Sequence, residues 1–361
     1  MLLLALLSTL ALASFPYTID KKIASRSAKE YVVPRLNSRG LFQHEPSKLY
    51  YWGEVTDNAD FTTISNQGRI DLYGLSYDDL YINTFSLLDG TFKVFDAANA
   101  GLLREFTFPG KCSQSRDKGA LQLYGDDLDA GGGKLDYRAM VRYYDQLVLQ
   151  QGPLDATTKP VLTRQLDIAP GSPADLAFQF VAYQDACTRD VFILTSLTST
   201  PVKIPLPPNF GKLKKLFFAS NNYLVLANSK DRVIVVGIRS VAPSEELFFS
   251  TVFDRRISVP TCDYQLGWRP LENKLAVLFS RTIGCQKTYY LDLYSPLETK
   301  ISADDCEVVD ETGVVHYQIA TLNAKDSFWI KGVLDPAGSP VNIFALNRNP
   351  EQVRGTIYTS P

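Results

Sequence analysis

Leu80-Tyr81-Ile82-Asn83-Thr84-Phe85 runs through Leu88-Asp89-Gly90 into Thr91-Phe92-Lys93-Val94-Phe95-Asp96, and on to Leu102-Leu103-Arg104-Glu105-Phe106. Three short runs rich in aromatic and branched residues, separated by Asp, Gly and Asn, read as consecutive strands joined by tight turns. The same unit returns downstream. Tyr223 to Leu226 turns at Asn228 to Asp231 into Val233 to Ile238, and Leu275 to Phe279 turns near Gly284 into Tyr289 to Leu293. Phe328-Trp329-Ile330 turns at Asp335-Pro336 into Val341-Asn342-Ile343-Phe344. Single runs of the same kind stand at Gln146 to Leu149 and Val191 to Leu194. The units recur roughly every 40 to 55 residues, the length of a propeller blade.

This pattern predicts an all-β chain folded as a single β-propeller, with six blades favoured over seven. A pair of β-sandwich domains is the competing architecture, since it also shows evenly spaced short strands. No Pro- or Ser-rich linker divides the middle of the chain, and the breaker cluster Pro201 to Pro208 reads as a connection between blades. Helical periodicity is scarce: Ala24 to Tyr31 supports a short helix, and Lys134 to Tyr144 reads as strand or helix. The expected organisation is a signal peptide over 1–13, an N-terminal extension over 14–40 and the propeller over 41–361.

Composition narrows the function. The 361 residues carry 37 Lys and Arg against 39 Asp and Glu, a formal charge of −2. That balance argues against nucleic acid as a partner, because neutralising phosphates takes a basic stripe. The hydrophobic share of 45% and charged share of 21% are those of a globular chain. Aromatics reach 12%, which favours sheet over helix. Met1 to Ala13 is an uncharged apolar run closing on Ala11-Leu12-Ala13, so cleavage before Ser14 and export to the extracellular space are expected. It is too short to span a bilayer, which takes about 20 apolar residues, and no later segment is a membrane span.

The five cysteines, Cys112, Cys187, Cys262, Cys285 and Cys306, contain no C-x-x-C pair, which argues against a zinc site. In an oxidising compartment they suggest two bridges and a free thiol. Cys112 with Cys187 is the preferred first pair, and Cys285 with Cys262 or Cys306 the second. Buried free thiols acting as small apolar residues are the competing reading.

Chemistry-bearing constellations are few. Asp126, Asp127 and Asp129 precede Gly131-Gly132-Gly133, a carboxylate-rich loop whose candidate cofactor is Ca²⁺. It is not an EF-hand, because the twelfth position from Asp127 is Arg138. A solvated loop is the plainer alternative. The two histidines, His44 in an expected loop and His316 on an expected strand, offer little to a Ser-His-Asp triad, and no G-x-S-x-G elbow exists. No catalytic residue emerges. Lys212 to Lys215 forms a small basic cluster, read as a solvated loop ahead of an anion patch. Trp52, Trp268 and Trp329 read as core, with some aromatics free to line a central pocket.

Three stretches resemble the yellow/major-royal-jelly family of secreted proteins. They are Asp185 to Leu194, Leu275 to Cys285, and Asp326 to Ile330 with Val341 to Phe344 and Arg354 to Ile357. Gln286 stands where that family's Gly-Cys-Trp strand end has tryptophan. The resemblance implies a six-bladed secreted propeller with two bridges and a central pocket, which in some members holds small amines. Asp89 to Ala98 also looks like a quinoprotein-type propeller strand, which supports the same architecture. The functional expectation is a secreted binding module holding a small ligand, an amine among the candidates, or a protein partner at its central channel. The alternative is a carboxylate- or Ca²⁺-dependent hydrolase or isomerase.

Overall fold

The computed structural model describes strands from Ala13 to Thr359 and most side chains between 69 and 296. Residues 1–12, 108–120, 127–135, 154–161, 297–313 and 331–341, with shorter connections, lie outside the described residues. Two N-terminal strands, β1 (Ala13–Ser14) and β2 (Thr18–Ile23), join sheets built much later in the chain. The first complete sheet is β3 (Glu30–Val32), β4 (Gly40–Glu45), β5 (Lys48–Trp52) and β6 (Thr62–Ser65). Next come β7 (Leu72–Leu75), β8 (Tyr81–Phe85), β9 (Thr91–Asp96) and β10 (Leu102–Thr107). The third sheet holds β11 (Leu121–Asp126), β12 (Asp136–Arg142), β13 (Gln146–Pro153) and β14 (Leu162–Asp167).

The fourth sheet holds β15 (Ala174–Ala177), β16 (Phe180–Gln184), β17 (Val191–Leu194) and β18 (Val202–Lys203). The fifth holds β19 (Leu213–Ser220), β20 (Tyr223–Asn228), β21 (Arg232–Val241) and β22 (Glu246–Arg256). In the sixth, β23 (Tyr264–Arg269), β24 (Lys274–Ile283), β25 (Gln286–Tyr294) and β26 (Val314–Asn323) are joined by β1, parallel to β26. The last combines β27 (Ser327–Ile330), β28 (Asn342–Asn349) and β29 (Gln352–Thr359) with β2.

Apart from β1, every pairing is antiparallel between neighbours in an up-and-down order, the meander of a propeller blade. First strands meet in succession, β3 with β7, β7 with β11, β11 with β15, β15 with β19 and β23 with β27, so they form the inner ring. Among the described residues there are seven sheets, against the expectation of six blades ahead of seven. The additional one is composite, closed by a strand from the opposite end of the chain. Stretch 14–40 supplies β2, β3 and the start of β4, so it is woven into the sheets.

Burial follows position in the blade. In the fourth sheet β15 and β16 are buried throughout and β18 is exposed, while β14, the outer strand of the third, alternates exposed and half-buried. Inner strands are covered on both faces by neighbouring blades; outer ones meet solvent. Apolar layers fill the seams, as between the fourth and fifth sheets, where Phe180 stacks on Phe218 with ring centroids 6.2 Å apart.

The described residues contain no helix: within 134–144 the described part holds strand β12, Asp136–Arg142, and of 24–31 the described part is strand. No helix among them is long and apolar enough to cross a membrane.

Candidate functional site

The longest described strand, β22, has eleven residues and pairs with the ten of β21. Val233-Ile234-Val235-Val236 gives β21 its β-branched core, buried on both faces. Beyond that core the hairpin outgrows its blade. Pairing of β21 with β20 stops at Tyr223↔Gly237, with the Ile238 N–H donating to Asn222 O at 2.7 Å. Pairing with β22 continues through Ile238↔Phe249, Arg239↔Phe248, Ser240↔Leu247 and Val241↔Glu246.

A cavity of about 810 Å³ opens where this overhang leaves its neighbour behind. Phe180, Ile238 and Phe249 line it from the side of the preceding blade, and Tyr223, Arg239 and Phe248 from the side of the next. Gly237 keeps part of its wall low: a Cβ there would come within 2.8 Å of Ser250 Oγ. Tyr223 is braced by Trp268 of the following blade, centroids 6.1 Å apart, and Trp268 in turn meets Phe253 edge-on at 5.8 Å. The site therefore has an anchored floor and a free lip, with Phe248 51% exposed. Among the described residues its lining includes one guanidinium, Arg239, and no carboxylate. Pockets that combine rings with a few polar groups are the usual form of a binding site.

The cavity is bounded by the outer three strands of its blade, not by the axis-lining first strands. Arg239, Phe248 and Gly237 were not picked out from sequence, where the hairpin was followed only to Ile238. The signal was present: Leu247-Phe248-Phe249 puts three large apolar side chains in succession on an outer strand.

The residues singled out from sequence are dispersed. Asp126 ends β11, paired across to Asp136, whereas Asp127 and Asp129 lie outside the described residues. Among the described residues no group of His, Cys, Asp and Glu gathers to hold a metal ion. His44 lies in strand β4 rather than a loop, and His316 in β26 opposite Asp292, as a strand reading expects. Cys187 is an exposed free thiol, while the side chains of Cys112, Cys262, Cys285 and Cys306 lie outside the described residues. The basic cluster is a seam rather than a solvated loop. Lys214 and Lys215 on β19 place their ammonium groups 4.3 and 4.9 Å from the ring centre of Tyr264 in the next blade. Lys214 also pairs with Asp231 at 3.1 Å, which accepts from the Tyr264 hydroxyl at 2.9 Å.

No family model matches the chain, and no curated protein does. Among solved structures it is similar to the WD40 domain of SCAP from fission yeast, at 10% identity and TM-score 0.56, over 95% of this chain and 87% of that one. It is also similar to the β-propeller domain of Myceliophteria thermophila Cps50 (Swd1), at 10% identity and TM-score 0.55, over 96% and 100%. A third likeness, at 11% identity and TM-score 0.55 over 90% and 91%, is to a complex of the fission yeast SREBP–SCAP binding domains. At such identities the likeness establishes the fold, a β-propeller. None of the three is a yellow-family protein. The Trp-Asp dipeptide of WD40 repeats is absent here, since Trp52, Trp268 and Trp329 precede Gly53, Arg269 and Ile330.

Proposed function

We propose that the chain is a propeller binding module that holds a segment of a partner protein in the cavity at the rim of the fifth blade. The observation that carries this reading is the overhanging β21–β22 hairpin, which keeps Phe248 half in solvent beside a braced aromatic floor. An exposed ring next to a concavity is a common anchor for a partner side chain. Propellers with which the chain shares its fold include one solved as a complex of binding domains, which is consistent with a partner-binding role. A photo-crosslinking phenylalanine analogue at position 248 tests the site, with one at exposed Leu162 as control. A discrete adduct from 248 alone is the expected result; equal labelling from both positions, or none, sinks the reading.

A small amine ligand has less support at this site, because no carboxylate among the described residues lines the cavity to receive an ammonium group. The Ca²⁺-dependent enzyme reading rests on Asp126, Asp127 and Asp129, the last two outside the described residues, and titrating calcium into the chain while following its melting tests it. Export with cleavage before Ser14 is part of the same proposal. The cut would leave β2 whole, since that strand begins at Thr18. N-terminal sequencing of the protein recovered outside the cell decides it: a start at Met1 removes the proposal.

A further inference from the structure

The β21 edge that β20 leaves uncovered has a direction and a charge. The Ile238 N–H points toward the β20 side, where it meets Asn222 O. Strand alternation then turns the N–H and C=O of Ser240 to the same side, two residues further on. Among the described residues no strand of the sheet lies beside them, because β20 begins at Tyr223 and pairs no further than Gly237. An open edge of this kind is a template for one more strand.

Side chains around the vacant lane define what would lie in it. Arg239 is exposed and forms no ion pair or side-chain hydrogen bond within the described residues, and no described lining residue is anionic. A residue opposite Arg239 in an added strand would share its face with Arg239, Tyr223 and Phe248. The next residue, opposite Ser240, would turn toward Phe180 and Phe249. Opposite charges directly across a ladder attract, and a carboxylate on a guanidinium forms charge-assisted hydrogen bonds.

We propose that the occupant is an extended peptide segment bearing an acidic residue next to an apolar one, added as a short strand along Ser240 with its carboxylate on Arg239. This rests on the rim-docking reading above and specifies its chemistry. A positional-scanning hexapeptide library selected on the immobilised full-length chain tests it, beside Arg239→Gln and Phe248→Ser. Both replaced side chains are exposed, and thermal melts establish that the variants are folded. The native chain should prefer Asp or Glu over Asn or Gln at one position by about tenfold, the scale of a hydrogen bond to a charged group. Arg239→Gln should lose that preference and keep the apolar one beside it. N-methylation of the selected peptide at the residue facing Ser240 should weaken binding by a similar factor; unchanged binding would overturn strand addition. Selection without acid preference, abolished by Phe248→Ser, would overturn the acidic chemistry and leave rim docking standing. Selection no greater than that of Phe248→Ser would overturn both.

Discussion

Ala100, Arg189 and Asp231 stand at φ of 58°, 62° and 58°, near the closing step of three strand-to-strand turns. Each turn opens on a side-chain oxygen that accepts a backbone N–H two residues on. Asp96 accepts from Ala98 at 2.6 Å, Asp185 from Cys187 at 3.0 Å, and Asn228 from Lys230 at 2.9 Å. Such Asx turns fix the chain reversal before the strands pair. At Asp185 burial opposes the charge, but the Thr188 N–H and hydroxyl and the N–H groups of Cys187 and Ala186 hold the carboxyl below its ordinary 3.8. The left-handed step is strained for any residue with a Cβ, by about 1–2 kcal/mol. Ala100 is the simplest place to relieve it, since only its half-buried methyl, packed at the edge of the cluster of Ile70, Ile82, Phe95 and Ala97, is lost. Ala100→Gly should stabilise the protein by ~0.5–1 kcal/mol after the added freedom of the unfolded chain is subtracted. Urea unfolding measures this, and a lower midpoint in the variant would contradict it.

The middle strands of the blades were the most legible in sequence, and of the flanking ones outer β10 and inner β27 were read while most were not. β8, β9, β20, β21, β24 and β25 read as apolar runs bounded by turn residues, as their double burial requires. The outer β14, Leu-Thr-Arg-Gln-Leu-Asp, carries little apolar signal because solvent takes one side of it, and two-residue β18 carries almost none. The rim cavity was illegible for another reason: hydrophobic pattern shows that a strand exists, not where its neighbour stops. Polar side chains also clasp adjacent blades in ways no periodicity records. Arg164, on β14, reaches the next blade and donates to Leu197 O at 2.9 Å and Ser199 O at 2.6 Å. Arg142 donates to Ser172 O at 2.8 Å, and the Phe218 N–H donates to Asp175 at 2.7 Å across the following seam. Arg164→Leu should cost about 1–2 kcal/mol, the net value of hydrogen bonds to a charged donor less what solvent screens. Arg164→Lys should recover only part of it, because an ammonium on a shorter reach does not reproduce the guanidinium geometry. Denaturant midpoints for the three proteins give the order, and indistinguishable midpoints would show that the clasp contributes nothing.

Closure of the whole ring rests on contacts between the chain's two ends. β27, β28 and β29 make three strands of the last sheet, and the fourth is β2, paired from Thr18↔Thr359 to Ile23↔Gly355. The closing blade is therefore not a run of consecutive strands. Without β2, the edge of β29 is left open, a surface prone to pairing with other chains. Of the described pairings, a chain starting at Ser14 loses Ala13↔Tyr317 of β1 and keeps all of β2, so its melting should stay within about 2 °C of the full chain, as for changes outside a core. A chain starting at Ser25 loses all five cross-strand pairs of β2 and both of β1, seven in all. At roughly 0.2–1 kcal/mol per pair, that loss should lower melting by about 2–9 °C. A synthetic peptide covering 14–24 should restore much of the difference, since it can occupy the vacated lane beside β29. If both truncated chains melt together, or the peptide has no effect, ring closure does not depend on β2.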